Sequence, residues 1–336
     1  KRVVDAATDF TLLRLTATGY TSRLPSSRLR YIARSEAFLL YSCDRGGSLQ
    51  VYRLELATGR QQQLTESGSP DPNTPGLMPD DGSFCYFDGP SLRRVSLKNL
   101  REKELYRVPE GWRRGEGFSL ARDGSYAALV EEREELRRLR LVRISSGKAV
   151  TLVEGSQLLA DPLLRSRREG VLYRQEPDTL ILAGLEGRGS RRLPLLPGHL
   201  GHFIWAPDGK SIFYLHRADG KGGASVLREH RLDSGADQAL AETSAFVAFS
   251  VNGDASVFVG ASGSLAAPYI LLLLRSGHRE LALCEHRASD PAQAAPVFSP
   301  DSQRVYFQSN REAQWVVYCA PVDRLVERTP SLNAHL

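Results

Sequence analysis

The chain has 336 residues, 41% of them hydrophobic and 25% charged, which is the composition of an ordinary globular protein with a large core. Its net charge of +5 comes mainly from arginine, which pairs readily with carboxylates and phosphates. Basic residues are not clustered with aromatic residues, so we expect no nucleic-acid partner. The longest apolar run, Tyr269–Leu274, is far shorter than a bilayer span, so we expect no membrane-embedded segment.

The cysteines and the N-terminus carry information about the compartment. Each of the four cysteines lies in or beside an apolar run, and none is part of a Cys-X-X-Cys pair: Cys43, Cys85, Cys284 and Cys319. This pattern predicts buried free thiols rather than a structural zinc site. The first ten residues, KRVVDAATDF, lack the apolar core of a signal peptide. We therefore expect a cytoplasmic protein, or a periplasmic or secreted one if a leader preceded Lys1.

A repeated motif organises the chain: a turn of the Pro-Asp-Gly type followed by a short apolar strand. Clear copies are PDDGSFCYF (79–87), ARDGSYAALV (121–130), APDGKSIFYL (206–215), SVNGDASVFV (250–259) and SPDSQRVYFQ (299–308). Weaker copies are ARSEAFLLYS (33–42) and RSRREGVLYR (165–174), and equivalent turn positions lie 41 to 49 residues apart. An Asp-Gly pair supplies the positive φ that a tight hairpin needs. The period is that of a four-stranded propeller blade.

A second hairpin follows each turn by about half a repeat. Examples are QVYRLELATGRQQQLT (50–65), LRLVRISSGKAVTLV (139–153), VLREHRLDSGADQALA (226–241) and YILLLLRSGHRELALC (269–284). Each repeat therefore provides four antiparallel strands. Helical periodicity is confined to 100–106 and 131–139, where we expect at most a turn or two of helix.

The two ends of the chain predict how the ring closes. The last repeat has a third strand at Trp315–Val322 but no clear fourth, whereas residues 5–16 match the turn and fourth strand of a blade. We predict that strand 10–16 completes the last blade, which removes exposed sheet edges. The prediction is one all-β domain over 1–336, a seven-bladed propeller with blades at 22–65, 66–110, 111–154, 155–196, 197–242, 243–286 and 287–322.

Several stretches resemble a known family. They are LLRLT, VYRLELATGRQQQLT, LYRVPEGW (105–112), GHFIWAPDGKSIFY (201–214), PYILLLLRSGHRELALCEH (268–286) and PVFSPDSQRVYFQSN (296–310). They are similar to the oligogalacturonate lyases of polysaccharide lyase family 22, and the repeats resemble TolB-type and WD40-like propellers. The resemblance implies β-elimination on short galacturonate oligomers from pectin. It also implies a divalent metal, usually manganese, held by three histidines and one glutamine at the channel mouth.

The metal ligands of that family do not carry over to this chain. Gln293 and Ala295 stand where two of the histidines belong, and Asp290 stands where the glutamine belongs. The third histidine aligns with about Phe246. Because alanine and phenylalanine offer no metal ligand, we predict no metal site and no cofactor, although the family uses Mn²⁺.

One histidine does match, and it is our candidate catalytic residue. His202 in LGHFIWAPDG occupies the position that the resemblance assigns to the base; a purely structural role for a lone histidine beside a strand is the alternative. Arg174 replaces a family histidine near a substrate-binding arginine, which is Thr179 here. The candidate substrate-binding residues are Arg174, Arg30, Arg34 and Gln293, of which the second and third rest only on their place at the start of the first blade.

Three functions remain open from the sequence. The first is a divergent lyase-like propeller that binds an anionic, uronate-type saccharide. The second is an active lyase with a rearranged, metal-free site, in which arginine neutralises the uronate carboxylate. The third is a non-catalytic platform for a protein partner, since a propeller fold does not fix function. An arginine-lined channel would favour a saccharide, and a channel filled by Phe246 and other apolar side chains would favour the platform.

Overall fold

The computed structural model describes residues 1–165, 169–186, 189–218, 225–243 and 245–330. In these ranges the strands form seven antiparallel sheets, and six of them are simple four-stranded meanders in chain order. The first three are β3 (Ser22–Arg23), β4 (Phe38–Cys43), β5 (Gln50–Glu55) and β6 (Gln61–Gln63); β7 (Gly76–Leu77), β8 (Ser83–Asp88), β9 (Ser91–Ser96) and β10 (Glu102–Arg107); β11 (Arg113–Leu120), β12 (Tyr126–Arg133), β13 (Leu136–Arg143) and β14 (Ala149–Gly155).

The next three sheets repeat the arrangement. They are β15 (Leu159–Leu164), β16 (Val171–Gln175), β17 (Leu180–Ala183) and β18 (Arg191–Arg192); β19 (His199–Trp205), β20 (Ser211–Arg217), β21 (Ser225–Arg231) and β22 (Asp237–Thr243); β23 (Phe246–Val251), β24 (Val257–Ser262), β25 (Tyr269–Leu274) and β26 (Arg279–Glu285). The first strand of each sheet lies at its inner edge, facing the central channel. The seven-bladed all-β fold predicted from the repeats is confirmed.

The seventh blade combines both ends of the chain, as predicted. Its strands β1 (Arg2–Val4), β2 (Thr11–Arg14), β27 (Val297–Phe298), β28 (Arg304–Glu312) and β29 (Gln314–Pro321) run in the order β1-β2-β29-β28-β27. The join is made where Leu13 pairs with Cys319 and Arg14 with Tyr318. The outermost strand β1 was not predicted. It forms because the chain reverses at Asp5–Asp9 and pairs back on β2.

The two stretches expected to hold a turn of helix are strands instead. Residues 102–107 form β10, and 131–139 fall in the β12–β13 hairpin, because ladder pairing satisfies their backbone groups. In the described ranges the one helical element is a 3₁₀ helix at Pro291–Ala294, too short and too polar to cross a membrane. All four cysteines are buried and free.

The repeated turns use a positive φ, but not always at the aligned residue. Gly124 and Gly209 have φ of 74° and 67°, and Glu36 takes the same conformation in the first blade. In the second blade the positive φ falls on Asp81, next to Gly82. The aligned position of the fourth blade, residue 168, lies outside the described residues.

The closing strand is held by packing as well as pairing. Leu12 is fully buried in a cluster that includes Val316, Tyr318 and Ile270, so it joins the sixth and seventh blades. Its neighbour Thr11 points to solvent.

We expect Leu12→Ala to lower the free energy of unfolding by about 2–5 kcal/mol, because it leaves a cavity at the closure. Urea unfolding monitored by tryptophan fluorescence measures the change. Thr11→Ala on the same strand is the matched control and should shift the midpoint little. Equal effects of the two substitutions would contradict a closure held by apolar packing.

Candidate functional site

Irregular pairing on four consecutive inner strands opens one mouth of the channel. Strands β11, β15, β19 and β23 each shift register at the same level of the ring. A bulge leaves residues unpaired and re-aims their side chains. The residues that these bulges leave out of the ladder pairing include Gly115–Gly117, Asp161, His202 and Val247. All of them line one cavity of about 480 Å³. We call it the upper cavity.

His202 lies at the bulge of β19, partly open to the upper cavity. Its ring meets Phe249 edge-on, with 5.1 Å between centroids, and its Nδ1 is buried without a hydrogen-bond partner among the described residues. Burial is the main cause that lowers the pKa of His202 to about 3, and the positive charges of Arg28 and Arg174 add to it. The imidazole is therefore neutral near pH 7 and can accept a proton only weakly.

A shared carboxylate organises the charges beside His202. Asp161 forms ion pairs with Arg28 and with Arg174, the latter at 3.1 Å between Nε and Oδ2. Burial raises the pKa of Asp161, but the two arginines outweigh it and the net shift is downward. Both guanidinium groups also lie over the ring of Phe203, at 4.9 and 5.3 Å from its centroid. Two cations thus share one anion at the wall of the cavity.

The backbone of this region requires a glycine. Asp161 has a φ of 54°, and Gly117 on the neighbouring strand has a φ of 93°. A Cβ atom on Gly117 would come within 2.9 Å of the Asp161 backbone nitrogen. Only glycine allows β11 to approach the bulge that carries the carboxylate.

Arg174, predicted to bind substrate, lies behind the cavity rather than in its lining. Besides Asp161, its guanidinium donates to the carbonyls of Leu200 at 3.0 Å and Gly201 at 2.9 Å. These contacts hold the segment just before His202. The structure therefore places Arg174 as a positioning residue, and direct contact with a substrate stays a prediction.

Gln293 lies in the lining of the upper cavity, joined to an arginine that the sequence analysis missed. Its Oε1 accepts a hydrogen bond from Nη2 of Arg23, and its Nε2 donates to Oδ2 of Asp290 at 2.7 Å. Asp290 also caps the 3₁₀ helix by accepting from the Ala292 amide at 3.1 Å. Arg23 in turn lies over the ring of Trp315, 4.4 Å from its centroid.

Two further lining arginines were also missed, Arg28 and Arg114. Arg114 forms an ion pair with Asp71 and lies 4.7 Å from the centroid of the Phe87 ring. The one available signal for it was the glycine-rich stretch that follows it, since glycines within a strand indicate a bulge. No pattern in the sequence distinguished Arg23 or Arg28 from the many other arginines.

Arg30 and Arg34 line a second cavity of about 310 Å³, which shares Ser27 and Arg28 with the upper cavity. Arg30 forms an ion pair with Asp81 and donates to the Met78 carbonyl, which draws it toward the second blade. The two arginines follow the inner strand of the first blade toward its turn, so they do not share a cavity with His202. Their role in binding a substrate stays a prediction.

Phe246 does not fill the channel. It is 2% exposed, and its ring lies so close to Gly260 that a Cβ there would be 2.3 Å from it. The bulge of β23 instead turns Val247 and Ala248 toward the upper cavity. The mouth is therefore lined by arginines together with apolar side chains, among them Val247 and Ala248.

The residues at the expected metal positions do not fit a manganese ion. Across the described residues, no group of three or more histidine, cysteine, aspartate or glutamate side chains is placed to hold a metal. Ala295 offers no side-chain ligand, and the oxygens of Asp290 and Gln293 already accept hydrogen bonds. A guanidinium also faces Gln293, and its charge opposes a second cation nearby.

The lowered pKa of His202 makes stability depend on pH in a definite direction. The unfolded chain binds a proton at this histidine near its ordinary pKa of 6.5, whereas the folded chain does so only near 3. Acidification between these values should therefore destabilise the native state, by at most about 1.4 kcal/mol per pH unit from this group.

We expect His202→Gln to lose less stability than the parent chain between about pH 6.5 and 4. Urea midpoints at several pH values measure the difference. His199→Gln, an exposed histidine on the same strand, is the control and should behave as the parent chain. An identical pH dependence in the parent chain and His202→Gln would rule out a buried neutral imidazole.

Comparison with known proteins places this site in context. No family model matches the chain. It is 23% identical over 337 residues to the oligogalacturonate lyase of Dickeya dadantii (strain 3937), covering 84% of this chain and 86% of that protein. It is 23% identical over 370 residues to the oligogalacturonide lyase of Pectobacterium atrosepticum, covering 95% of each.

The structural comparison agrees with the sequence comparison. An oligogalacturonate lyase in complex with manganese superposes with a TM-score of 0.91 at 22% identity, over 96% of this chain and 95% of that one. A TolB from Agrobacterium tumefaciens is a more distant match, with a TM-score of 0.54 at 14% identity, over 82% of this chain and 96% of that one. The chain is a seven-bladed β-propeller that is similar to oligogalacturonate lyases in sequence, along nearly its whole length, and in fold.

Proposed function

We propose that the chain binds an acidic, uronate-type saccharide in the upper cavity and does so without a metal ion. The observation that carries the proposal is the lining of that cavity by Arg23, Arg28 and Arg114, in a chain similar to oligogalacturonate lyases. Arginine presents a planar fork of donors that matches a carboxylate, and a uronate oligomer carries one carboxylate on each sugar.

The size and chemistry of the cavity suit such a ligand. Its volume of about 480 Å³ falls in the range of small-molecule sites. The backbone of the β11 bulge, at Gly115–Gly117, borders the cavity outside the ladder pairing and can offer amide and carbonyl groups to sugar hydroxyls. The platform hypothesis has less support, because the feature that favoured it, a channel filled by Phe246, is absent from the described structure.

Three carboxylates, Asp71, Glu116 and Asp161, line the cavity beside the arginines, so recognition of an anion depends on positive charge that these do not cancel locally. Asp161 is shared by Arg28 and Arg174, so this part of the wall carries excess positive charge. Arg114 is paired with a single carboxylate, Asp71, and contributes mainly directional hydrogen bonds. Binding should weaken as salt rises, since ions screen these charges.

We expect trigalacturonate to bind the parent chain equally well in EDTA and in manganese, and its methyl ester to bind at least tenfold more weakly. Isothermal titration calorimetry measures both. Arg114→Met should weaken binding about tenfold, equivalent to about 1.4 kcal/mol. Arg113→Met, at the neighbouring, mostly exposed residue, is the matched control and should bind as the parent chain does.

Binding that requires manganese would contradict the metal-free proposal. The absence of binding to trigalacturonate in either buffer would overturn the saccharide proposal as a whole.

A second function, metal-free β-elimination, is favoured by one observation: a neutral His202 with an unpartnered Nδ1 beside the arginines. In that reaction the imidazole takes the proton from C5, the C4–O bond breaks as the C4=C5 bond forms, and the leaving oxygen gains a proton. Arginine would stabilise the negative charge that develops on the carboxylate. The same burial that keeps His202 neutral makes it a weak base, so we rank this function second.

We expect manganese to leave the formation of unsaturated product unchanged, as followed by ultraviolet absorbance with trigalacturonate. A slow rise that persists in EDTA and disappears in His202→Ala would support elimination by His202. A rise that EDTA abolishes would show that a metal acts, against our reading of the site. His199→Ala serves as the control for loss of a histidine on the same strand.

The compartment remains a prediction. The four cysteines are free and buried, which is compatible with the cytoplasmic location expected from the sequence.

A further inference from the structure

We infer that Arg23 supplies, as a permanent part of the chain, the positive charge that a metal ion would supply at the upper cavity, and is the principal ligand of the saccharide carboxylate. The inference deepens the proposed function and, in its second half, rests on it. It follows from the position, the charge and the rigidity of this one side chain.

The position comes from the contacts at the 3₁₀ helix. Gln293 and Asp290 stand where the family resemblance would place two metal ligands. In this chain the Gln293 Oε1 accepts from the Arg23 guanidinium, and Asp290 binds the other end of the same amide. A cation is therefore still held at these positions, but it is covalently part of the first blade.

The charge of Arg23 is the least compensated among the lining arginines. Arg28 and Arg114 each form an ion pair, whereas no carboxylate among the described residues lies within ion-pair distance of Arg23. Its hydrogen-bond partner is a neutral amide, and its Nε is buried without a partner. Asp290, on the far side of the Gln293 amide, compensates part of this charge without a direct ion pair. A half-buried guanidinium with no direct carboxylate partner still attracts an incoming carboxylate, because arginine stays charged even when burial disfavours it.

The side chain is also held in one place. Trp315 supports one face of the guanidinium. Gln308, 3% exposed, accepts from the Leu24 amide at 2.7 Å and donates to the Gln293 carbonyl at 2.6 Å. It therefore fixes the backbone on both sides of the Arg23–Gln293 contact. A preorganised charge binds its ligand without first losing side-chain freedom.

The first test uses manganese alone. We expect the electron paramagnetic resonance signal of free Mn²⁺ to be unchanged when the parent chain is added at excess. A loss of signal that Gln293→Ala or Asp290→Asn restores would overturn the inference, because these positions would then hold a metal. This test needs no saccharide, so it decides the metal question even if trigalacturonate fails to bind.

The second test uses trigalacturonate and calorimetry in EDTA. We expect Arg23→Met to weaken binding at least tenfold, Arg23→Lys to retain part of the affinity, and Arg113→Met to change nothing. Gln293→Glu is nearly isosteric and places a carboxylate against Arg23, so it should weaken binding as much as Arg23→Met. Thermal unfolding checks that each variant is folded.

The outcomes separate the two proposals. Parent-like binding by both Arg23→Met and Gln293→Glu would overturn the role of Arg23 while leaving saccharide binding intact. If the parent chain itself does not bind trigalacturonate, the proposed function and the ligand role of Arg23 both fail. The manganese test then still decides whether Arg23 has replaced a metal.

Discussion

The pairing of β2 with β29 is the contact on which the rest of the molecule depends. It joins the two ends of the chain in one sheet and sets the first blade beside the last. The seam that results is crossed by polar contacts: Thr21 Oγ1 to Gln314, the Leu24 amide to Gln308, and Arg304 to Glu36. Arg23 and Gln293 also meet across this seam, so the candidate site exists only in the closed ring.

Bulges in the inner strands shape much of the rest of the site. Four consecutive inner strands shift register at one level, and the residues they release form the cavity wall. The bulges are closely packed against each other: Asp161 has a positive φ, and Gly117 lies against its backbone. Such strain is tolerated where the surrounding structure imposes it, and it clusters at sites that act on ligands.

The electrostatics of the cavity follow from where its arginines and carboxylates lie, since three of each line it. Arg28 and Arg174 share Asp161, and Arg23 faces an amide. Burial, with a smaller contribution from Arg28 and Arg174, lowers the pKa of His202 and keeps it neutral. Arrangements of this kind favour recognition of an anion over proton transfer, since the factors that attract a carboxylate also weaken the nearby base.

The sequence by itself determined the fold and left the site largely to the tertiary structure. Turn chemistry and strand alternation are local, so a repeat near 44 residues already specifies the blades, and the unpaired ends specify how they close. His202 and Gln293 could be selected because they sit in recognisable motifs. The partners Arg23, Arg28, Arg114 and Asp161 could not, because they lie on three different blades, the first, third and fourth, and come together only in the folded ring. Arg30 and Arg34 show the same limit in reverse: they are close to Arg28 in sequence, but of the three only Arg28 also reaches the upper cavity, because the chain carries its successive residues along the channel.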